Sequence, residues 1–251
     1  MTRPAEASRE LHLFRTPDHP CSYLPGLSAR TLFPDPEGPM DVPLYSMLIN
    51  LGFRRSGGFV YRPDCEACDA CIPVRVPVDR FRSRRRHRRI LKKNRDLLIT
   101  ERAAGFHEEH YELFRRYIAA RHGDGDMSDT SENQYRSFLL SEWCDTILFE
   151  FRAEGRLVAV AVTDRLASGL SSFYTFFDPF DEWRSPGTLS ILWQIGETRR
   201  LRLPWLYLGY WIEASRKMAY KTAFRPIDIL TEGRWHRFGP GESITTKGID
   251  R

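Results

Sequence analysis

The fold class predicted by the sequence is α+β, with a mixed antiparallel sheet flanked by helices and a smaller cysteine-containing region ahead of it. Three observations carry this expectation. From Asp145 onward, "TILFEFRAEGRLVAVAVTDRLASGLSSFYTFFD" alternates or runs apolar in three blocks broken at Glu154-Gly155 and Ser168-Gly169, the pattern of an antiparallel meander. The stretch "EEHYELFRRYIAARH" (108–122) spaces its apolar residues at helical intervals. The chain has 251 residues, 41% of them hydrophobic and 13% aromatic, which is enough to bury a core and excludes wholesale disorder.

The elements follow in order. Residues 1–43 are rich in Pro and charge ("PDHPCSYLPG", "FPDPEGPMD") and are expected to be loop with short strands. "VPLYSMLINLGF" (42–53) has helix-spaced apolar residues and ends at Gly52, and "FRRSGGFVYRP" is expected to form a hairpin turning at Gly57-Gly58. After the amphipathic helix at 108–122 comes the turn-rich "GDGDMSDTS", then a second helix near 131–142. Beyond the meander, "PGTLSILWQIGETRRLRL" is expected to be a helix and "WLYLGYWI" a buried strand. "SRKMAYKTAF" is expected to be a further helix and "IDILTEGRWHRF" a strand or hairpin. The order β-β-β-α-β-α-β is that of the acyltransferase fold of N-acetyltransferases, which suggests a scaffold and leaves the chemistry open. The expected organisation is an N-terminal region at 1–98, an acyltransferase-like domain at 99–238 and a tail at 239–251.

Charge is distributed unevenly. Ten of the sixteen residues from Arg80 to Arg95 are Lys or Arg and none is acidic, whereas the whole chain carries a net charge of only +5. The remainder is therefore net acidic. "SRRRHRRILKKNRDLL" contains neither Gly nor Pro, and Phe81, Ile90, Leu91, Leu97 and Leu98 give it something to pack with, so a helix is expected. A folded strip of this kind attracts phosphates with strong salt dependence. The candidate phosphate contacts are Arg84, Arg85, Arg86, Arg88, Arg89, Lys92, Lys93 and Arg95. No apolar run approaches the ~20 residues of a membrane span, and "MTRPAEASRELHLF" lacks the apolar core of a secretory signal. The expectation is a soluble cytoplasmic protein without membrane partners.

Five cysteines, an odd number without an export signal, argue against a disulfide framework. Cys65, Cys68 and Cys71 form C-x-x-C-x-x-C, and Cys21 lies in "HPCSYLPG". Four thiolates suit a tetrahedral zinc or an iron–sulfur cluster. The alternative is reduced thiols packed as small hydrophobes. Cys144 is expected in the core.

The helix after the meander opens with Arg184-Ser185-Pro186-Gly187-Thr188-Leu189. A CoA-binding turn has a small residue where Leu189 stands, so no CoA is expected. A helix start at Gly187 can still hold one phosphate or a ribose hydroxyl. The competing view is an ordinary start with Ser185 as cap and Pro186 at the first helical position.

"LYSMLINLGFRRSGGFVYRPDCEACDACIPVRVPVDRF", "SRRRHRRILKKNRDL" and "LYLGYWIEASRKMAYKTAFRPIDIL" resemble the aminoacyl-tRNA–protein transferases of the N-degron pathway, and among them the bacterial aspartate/glutamate leucyltransferases. The resemblance spans about Cys21 to Trp235. It implies transfer of leucine from a charged tRNA to the α-amine of proteins beginning with Asp or Glu, creating a signal for proteolysis. Arginine is the donor in the eukaryotic branch, and the sequence by itself does not separate the two. An RNA donor accounts for a phosphate-binding strip on an acyltransferase. An ester is already activated and an α-amine has a pKa near 7.7–8.0, so positioning and oxyanion stabilisation can supply most of the rate without a covalent enzyme intermediate or a required cofactor.

An acidic acceptor calls for cations in a pocket. Arg54, Arg55, Ser56 and Tyr61 of the best-matched motif are candidates, as are Arg75, Lys217 and Lys221. Tyr174, Tyr207, Tyr210 and Tyr220 lie on or beside strands that would flank a cleft. Tyr174, Tyr210 and Tyr220 are the candidates for relaying a proton or stacking on the terminal adenine. By resemblance only, Trp211, Ser215 and Met218 are expected near the cleft. Eukaryotic relatives have N-terminal cysteines linked to an iron–sulfur cluster, which by resemblance points to Cys21, Cys65, Cys68 and Cys71. The rival reading is a non-catalytic, metal-stapled RNA-binding module.

Overall fold

The computed structural model describes residues 10–122 and 131–244. The expected turn "GDGDMSDTS" lies almost wholly outside these residues, as do the last seven residues of the expected tail. In the N-terminal region, β1 (Leu13–Arg15), a short pair of β2 (His19–Pro20) and β3 (Ser28–Ala29), and β4 (Thr31–Pro34) precede helix α1 (Val42–Asn50). Asp41 caps α1 by accepting from the Leu44 N–H at 2.8 Å, and Leu44, Tyr45, Leu48 and Ile49 form its buried face. Gly52 ends it at φ +89°, where a Cβ would lie 2.9 Å from Pro73, so only glycine suits the turn.

The hairpin expected at Gly57-Gly58 is β5 (Arg54–Ser56) and β6 (Phe59–Pro63). With β1 and β4 these strands make a four-stranded sheet in the order β1-β4-β6-β5. β7 (Ile72–Pro77), α2 (Arg85–Lys93), β8 (Leu97–Ala103), α3 (Glu108–His122) and α4 (Glu132–Leu139) follow. The meander is β9 (Thr146–Ala153), β10 (Arg156–Leu166) and β11 (Gly169–Phe177). A 3-10 turn at Pro179–Arg184 leads into α5 (Pro186–Arg200) and β12 (Trp205–Trp211), and β13 (Ile227–Thr231) and β14 (Arg234–Phe238) close the fold.

The main sheet has eight strands in the order β14-β13-β7-β12-β11-β10-β9-β8. Among the described residues only β11 and β12 pair in parallel. β10 is buried along nearly its whole length, as expected of a strand covered on both faces. Leu113, Phe114 and Ile118 of α3 and Tyr135 and Leu139 of α4 pack with Leu148, Val160, Val162 and Phe176. Ile191, Leu192 and Ile195 of α5 pack with β7 and β12, joined by Phe81 and Phe224. β7 comes from the N-terminal region yet sits between β12 and β13, and β8 spans the boundary expected at residue 98. No helix among the described residues is long and apolar enough to cross a membrane.

Two expected helices are shorter than their patterns. The basic one stops at Lys93, because the Asn94 side chain donates to the carbonyls of Ile90 (2.8 Å) and Arg184 (3.0 Å), and Leu97 already pairs with Ala153. "SRKMAYKTAF" forms only a 3-10 turn, Ala219–Ala223. Phe224 is drawn into the core beside His87, and Pro226 disfavours a helical residue before it. Ser185 precedes α5 as expected, but at φ +58° and without capping it; its hydroxyl accepts from Lys93 instead.

Arg55 and Asp164, both with fully buried side chains, join the hairpin to the meander. Their two hydrogen bonds measure 2.6 and 2.7 Å. Thr146, the carbonyls of Leu139 and Gly57 and the face of Phe173 complete the enclosure. Removing one partner of such a pair strands the other charge in the core. Asp164→Leu is expected to cost about 3–5 kcal/mol, measured as a lower urea midpoint. The double change Arg55→Met, Asp164→Leu should recover most of the loss.

Candidate active site and phosphate-binding strip

β11 and β12 share only three residue pairs, Gly169–Ser171 against Trp205–Tyr207, and then part. Each strand carries a bulge at that point. In β11 it lies at Phe173, between the pairs Thr163↔Ser172 and Val162↔Tyr174, and in β12 at Leu208, between Tyr207↔Arg75 and Gly209↔Val74. Bulges bend strands and interrupt pairing. Backbone groups that would have faced each other across the sheet need other partners.

Two cations meet part of that need. Arg54 donates from Nη1 to Ser171 Oγ (3.1 Å) and from Nη2 to the Ser172 carbonyl (3.2 Å). Lys221 Nζ donates to the Tyr210 carbonyl at 2.6 Å and lies 3.2 Å from Met218 Sδ. Gly209, at φ +77°, lets the guanidinium rest on the backbone, since a Cβ there would be 3.3 Å from Arg54 Cζ. Arg54 is 8% exposed and Lys221 7%. Among the described residues neither forms an ion pair with a carboxylate, which sets them apart from Arg55 and Arg75.

Phenols and thiols surround this pair. Tyr61 and Tyr210 have ring centroids 6.3 Å apart, and the Tyr210 hydroxyl donates to the Gly52 carbonyl at 2.8 Å. Burial raises the pKa of Tyr61 and of Tyr210, so both stay neutral near pH 7. Tyr23 is pushed up to about 12, chiefly by burial and then by Tyr61 and Cys71. Tyr220 is half-exposed and near enough to Arg54 and Tyr117 to feel both. Tyr174 packs against Phe114, Tyr117 and Phe138 on the α3–α4 side, and burial raises its pKa as well.

The other candidates have their own surroundings. Arg55 is enclosed in the core as described. Arg75 is sandwiched between Trp205 (3.7 Å) and Trp235 (4.0 Å) and donates to Asn50 Oδ1 at 2.9 Å, so its cation binds the sheet together. Trp211 is buried in the α5-side core. Ser56 pairs with Phe59 in the hairpin, and Ser215 accepts from the N–H groups of Met218 and Ala219. Lys217 is exposed, and Tyr207 donates to Asn50 Oδ1 at 2.8 Å. Gly187, in the first turn of α5, has open space where a Cβ would sit. Arg184 is committed to Asp96 (2.7 Å) and Asp181 (3.2 Å), so it is not free to hold a pyrophosphate.

The four cysteines expected to act together do lie near one another. Cys71 feels Cys21, Cys65 and Cys68 as well as Lys221, and burial foremost pushes its thiol up to about 12. All four are partly buried and free, and Cys144 is in the core. Among the described residues, however, no three His, Cys, Asp or Glu side chains are arranged as metal ligands. The donor set suits a sulfur-seeking metal, but the side-chain positions do not form its coordination shell.

α2 presents Arg84, Arg85, Arg86, Arg88, Arg89, Lys92 and Arg95 to solvent, with Lys93 half-buried. None of these eight is in an ion pair with a carboxylate among the described residues. The helix is pinned by its one buried residue, His87, stacked between Phe81 (5.6 Å) and Phe224 (5.7 Å). Burial, then Arg86 and Arg84, lower the His87 pKa, so the pin adds no charge to the strip. At the start of α2, Arg80, Arg82, Arg84 and Arg225 line a groove that continues the strip.

Two family profiles cover most of this architecture. The one described as "Arginine-tRNA-protein transferase, N terminus" matches residues 19–89, and "Arginine-tRNA-protein transferase, C terminus" matches residues 109–231. An aspartate/glutamate leucyltransferase of Alcanivorax borkumensis is 55% identical over 225 residues, 90% of this chain and 93% of that one. The chain belongs to the aspartate/glutamate leucyltransferase family. Proteins of the same name from Pseudomonas aeruginosa (52% identical, 90% of this chain and 96% of that one) and Hahella chejuensis (49%, 90% and 97%) agree. Among solved structures, L-PGS from Bacillus licheniformis has a TM-score of 0.43 at 9% identity, over 66% of this chain and 49% of that one, a likeness too slight to inform fold or chemistry.

As a member of that family the chain is a transferase, and the splayed strands are its candidate active site. Ser171, Ser172, Gly209 and Tyr23 were not among the candidates read from sequence. Gly209 carried a signal, because a lone glycine inside an apolar strand marks a bulge or a close backbone approach.

The Lys221 pKa is lowered from 10.5 to about 7, by burial first and then by Arg54. Between those values the unfolded chain holds a proton that the folded chain does not. Folding stability therefore rises with pH across this window, and the penalty is complete below about 7. Lys221→Met is expected to flatten that rise, measured by urea denaturation at about pH 6.5 and about pH 9.

Proposed function

We propose that this chain moves leucine from the 3′ end of leucyl-tRNA to the α-amine of proteins beginning with Asp or Glu, marking them for proteolysis. One observation carries the proposal: Arg54 is a buried cation with no carboxylate partner among the described residues, at the point where two strands part and beside Lys221, whose pKa is lowered to about 7. A buried unpaired charge is costly and persists where a ligand supplies the counter-ion. The side chain of an N-terminal Asp or Glu is such a counter-ion. An N-acetyltransferase-like scaffold is our reading of the sheet order and of the parallel pair that parts.

In this reading Arg54 holds the acceptor carboxylate, with three of its five N–H groups left after its bonds to Ser171 and Ser172. Lys221, lowered to about 7, takes the proton that the α-ammonium sheds. The free amine attacks the ester carbonyl, the new C–N bond forms, and the C–O bond breaks as the ribose oxygen leaves with the second proton of the attacking nitrogen. Backbone N–H groups freed by the parting strands are available to the oxyanion. The α2 cations hold the tRNA backbone, and no CoA or metal is required for these steps. Names of relatives support leucine as donor and Asp or Glu as acceptor.

The test offers purified protein tRNA charged with labelled leucine or labelled arginine, and matched peptides beginning with Asp, Glu or Ala. Leucine transfer to Asp and Glu alone is the expected result. Arginine transfer would reassign the donor, and tRNA binding without transfer would overturn the enzymatic reading. Arg54→Met should raise KM for the acidic peptides by roughly 30-fold or more, the lower end of what truncating one partner of a buried charge pair costs. Replacing Arg85, Arg89 and Lys92 together by Gln should reduce the slope of log affinity against log salt by about 2–3, or roughly 0.7–0.9 for each phosphate that is no longer neutralised.

A further inference from the structure

Two exposed aromatic rings belong to none of the machinery described above. Phe180 is 90% exposed, the most exposed large apolar side chain among the described residues, and Trp183 is 58% exposed. Both lie on the 3-10 turn Pro179–Arg184, which begins where β11 ends and leads into α5.

The turn is not a loose loop. Asp178 Oδ1 accepts from the Phe180 N–H at 3.1 Å. Asp181 pairs with Arg156 (2.6 Å) and Arg184 (3.2 Å), Arg184 with Asp96 (2.7 Å), and Glu182 with Arg121 (2.5 Å). Lys93 donates to the Trp183 carbonyl, and Asn94 to that of Arg184. The two rings are thus held in water by a backbone anchored on both sides, so a ligand that covers them need not order the segment first.

What would cover them follows from their neighbours. The Arg184 guanidinium lies 4.5 Å from the Trp183 ring centroid, and Lys93 Nζ 5.9 Å from it. Lys93 is also the last residue of the cationic helix. Every carboxylate of the turn is paired with an arginine, so no free negative charge repels a polyanion. Exposed rings beside Lys93, which has no carboxylate partner among the described residues, and on a rigid mount, suit unpaired nucleotides, whose bases stack while their phosphates are neutralised. The turn also follows directly on the end of β11 that has parted from β12 and touches the last residues of the α2 strip.

We infer that Phe180 and Trp183 form a stacking platform for the single-stranded 3′ nucleotides of the donor RNA, beside the phosphate strip. This rests on the tRNA-dependent transferase reading. The platform adds affinity only for RNA with an unpaired 3′ end, whereas the strip binds any RNA backbone.

The experiment measures binding of the full-length protein to intact uncharged tRNA and to the same tRNA trimmed of its unpaired 3′ nucleotides, for wild type, the double variant Phe180→Ala, Trp183→Ala, and Trp183→Tyr. Wild type should prefer the intact RNA. The double variant should lose roughly tenfold or more on intact RNA, the scale of one or two base–aromatic stacks, with trimmed-RNA binding and salt slope unchanged. Trp183→Tyr should retain most of the preference. Equal losses on both RNAs, or no loss on either, would overturn the platform. If leucine transfer by wild type persists alongside that result, the transferase reading survives; if wild type neither transfers leucine nor binds either RNA, both fall. Unaltered RNA binding with weaker use of acceptor protein would assign the rings to a protein partner instead and also overturn the inference.

Discussion

The candidate site depends on the parting of β11 from β12. Parallel strands that stayed paired would close their backbone groups on each other and leave no opening in the sheet. Here three pairs of residues hold the strands together, and bulges at Phe173 and Leu208 turn them apart. Arg54 reaches the Ser172 carbonyl on one strand and Lys221 the Tyr210 carbonyl on the other. Both groups supply donors to carbonyls at the parting, and Arg54 also leaves a positive charge there.

The contrast between Arg54 and Arg55 shows how little sequence distance matters to function. Neighbours in a strand point to opposite faces. Arg54 faces the parting strands and keeps donors unspent. Arg55 faces the meander, where Asp164, Thr146 and two carbonyls occupy it completely. Arg75, on a strand recruited into the main sheet, is held between two tryptophans and paired toward Asp228. Three arginines chosen by one chemical argument thus divide into one that faces the gap and two that hold elements together.

The basic segment solves a different problem. A run of like charges resists folding unless something anchors it. One histidine, its pKa lowered by burial, is clamped between Phe81 and Phe224, and the cationic side chains have no carboxylate partners among the described residues. The strip then keeps its charge for a polyanion. Its ends meet a groove lined by several arginines and Glu242 on one side and the Trp183 turn on the other.

Periodicity and turn chemistry alone determined much of this protein. The meander, the helices at 108–122 and 186–200, the hairpin at Gly57-Gly58 and the segregation of charge into one short run are local properties, set by spacing of apolar residues and by the needs of the backbone. The end of the basic helix was decided by Asn94 and the reduction of "SRKMAYKTAF" to a single tight turn by Phe224, each meeting distant partners, with Pro226 adding a local bar to helix. The insertion of β7 between β12 and β13, the gathering of Cys21 near Cys71 and the different environments of Arg54 and Arg55 were decided by tertiary structure. Each joins residues far apart in the chain, and a single sequence carries no signal for which strand pairs with which, or which cation is left without a counter-charge.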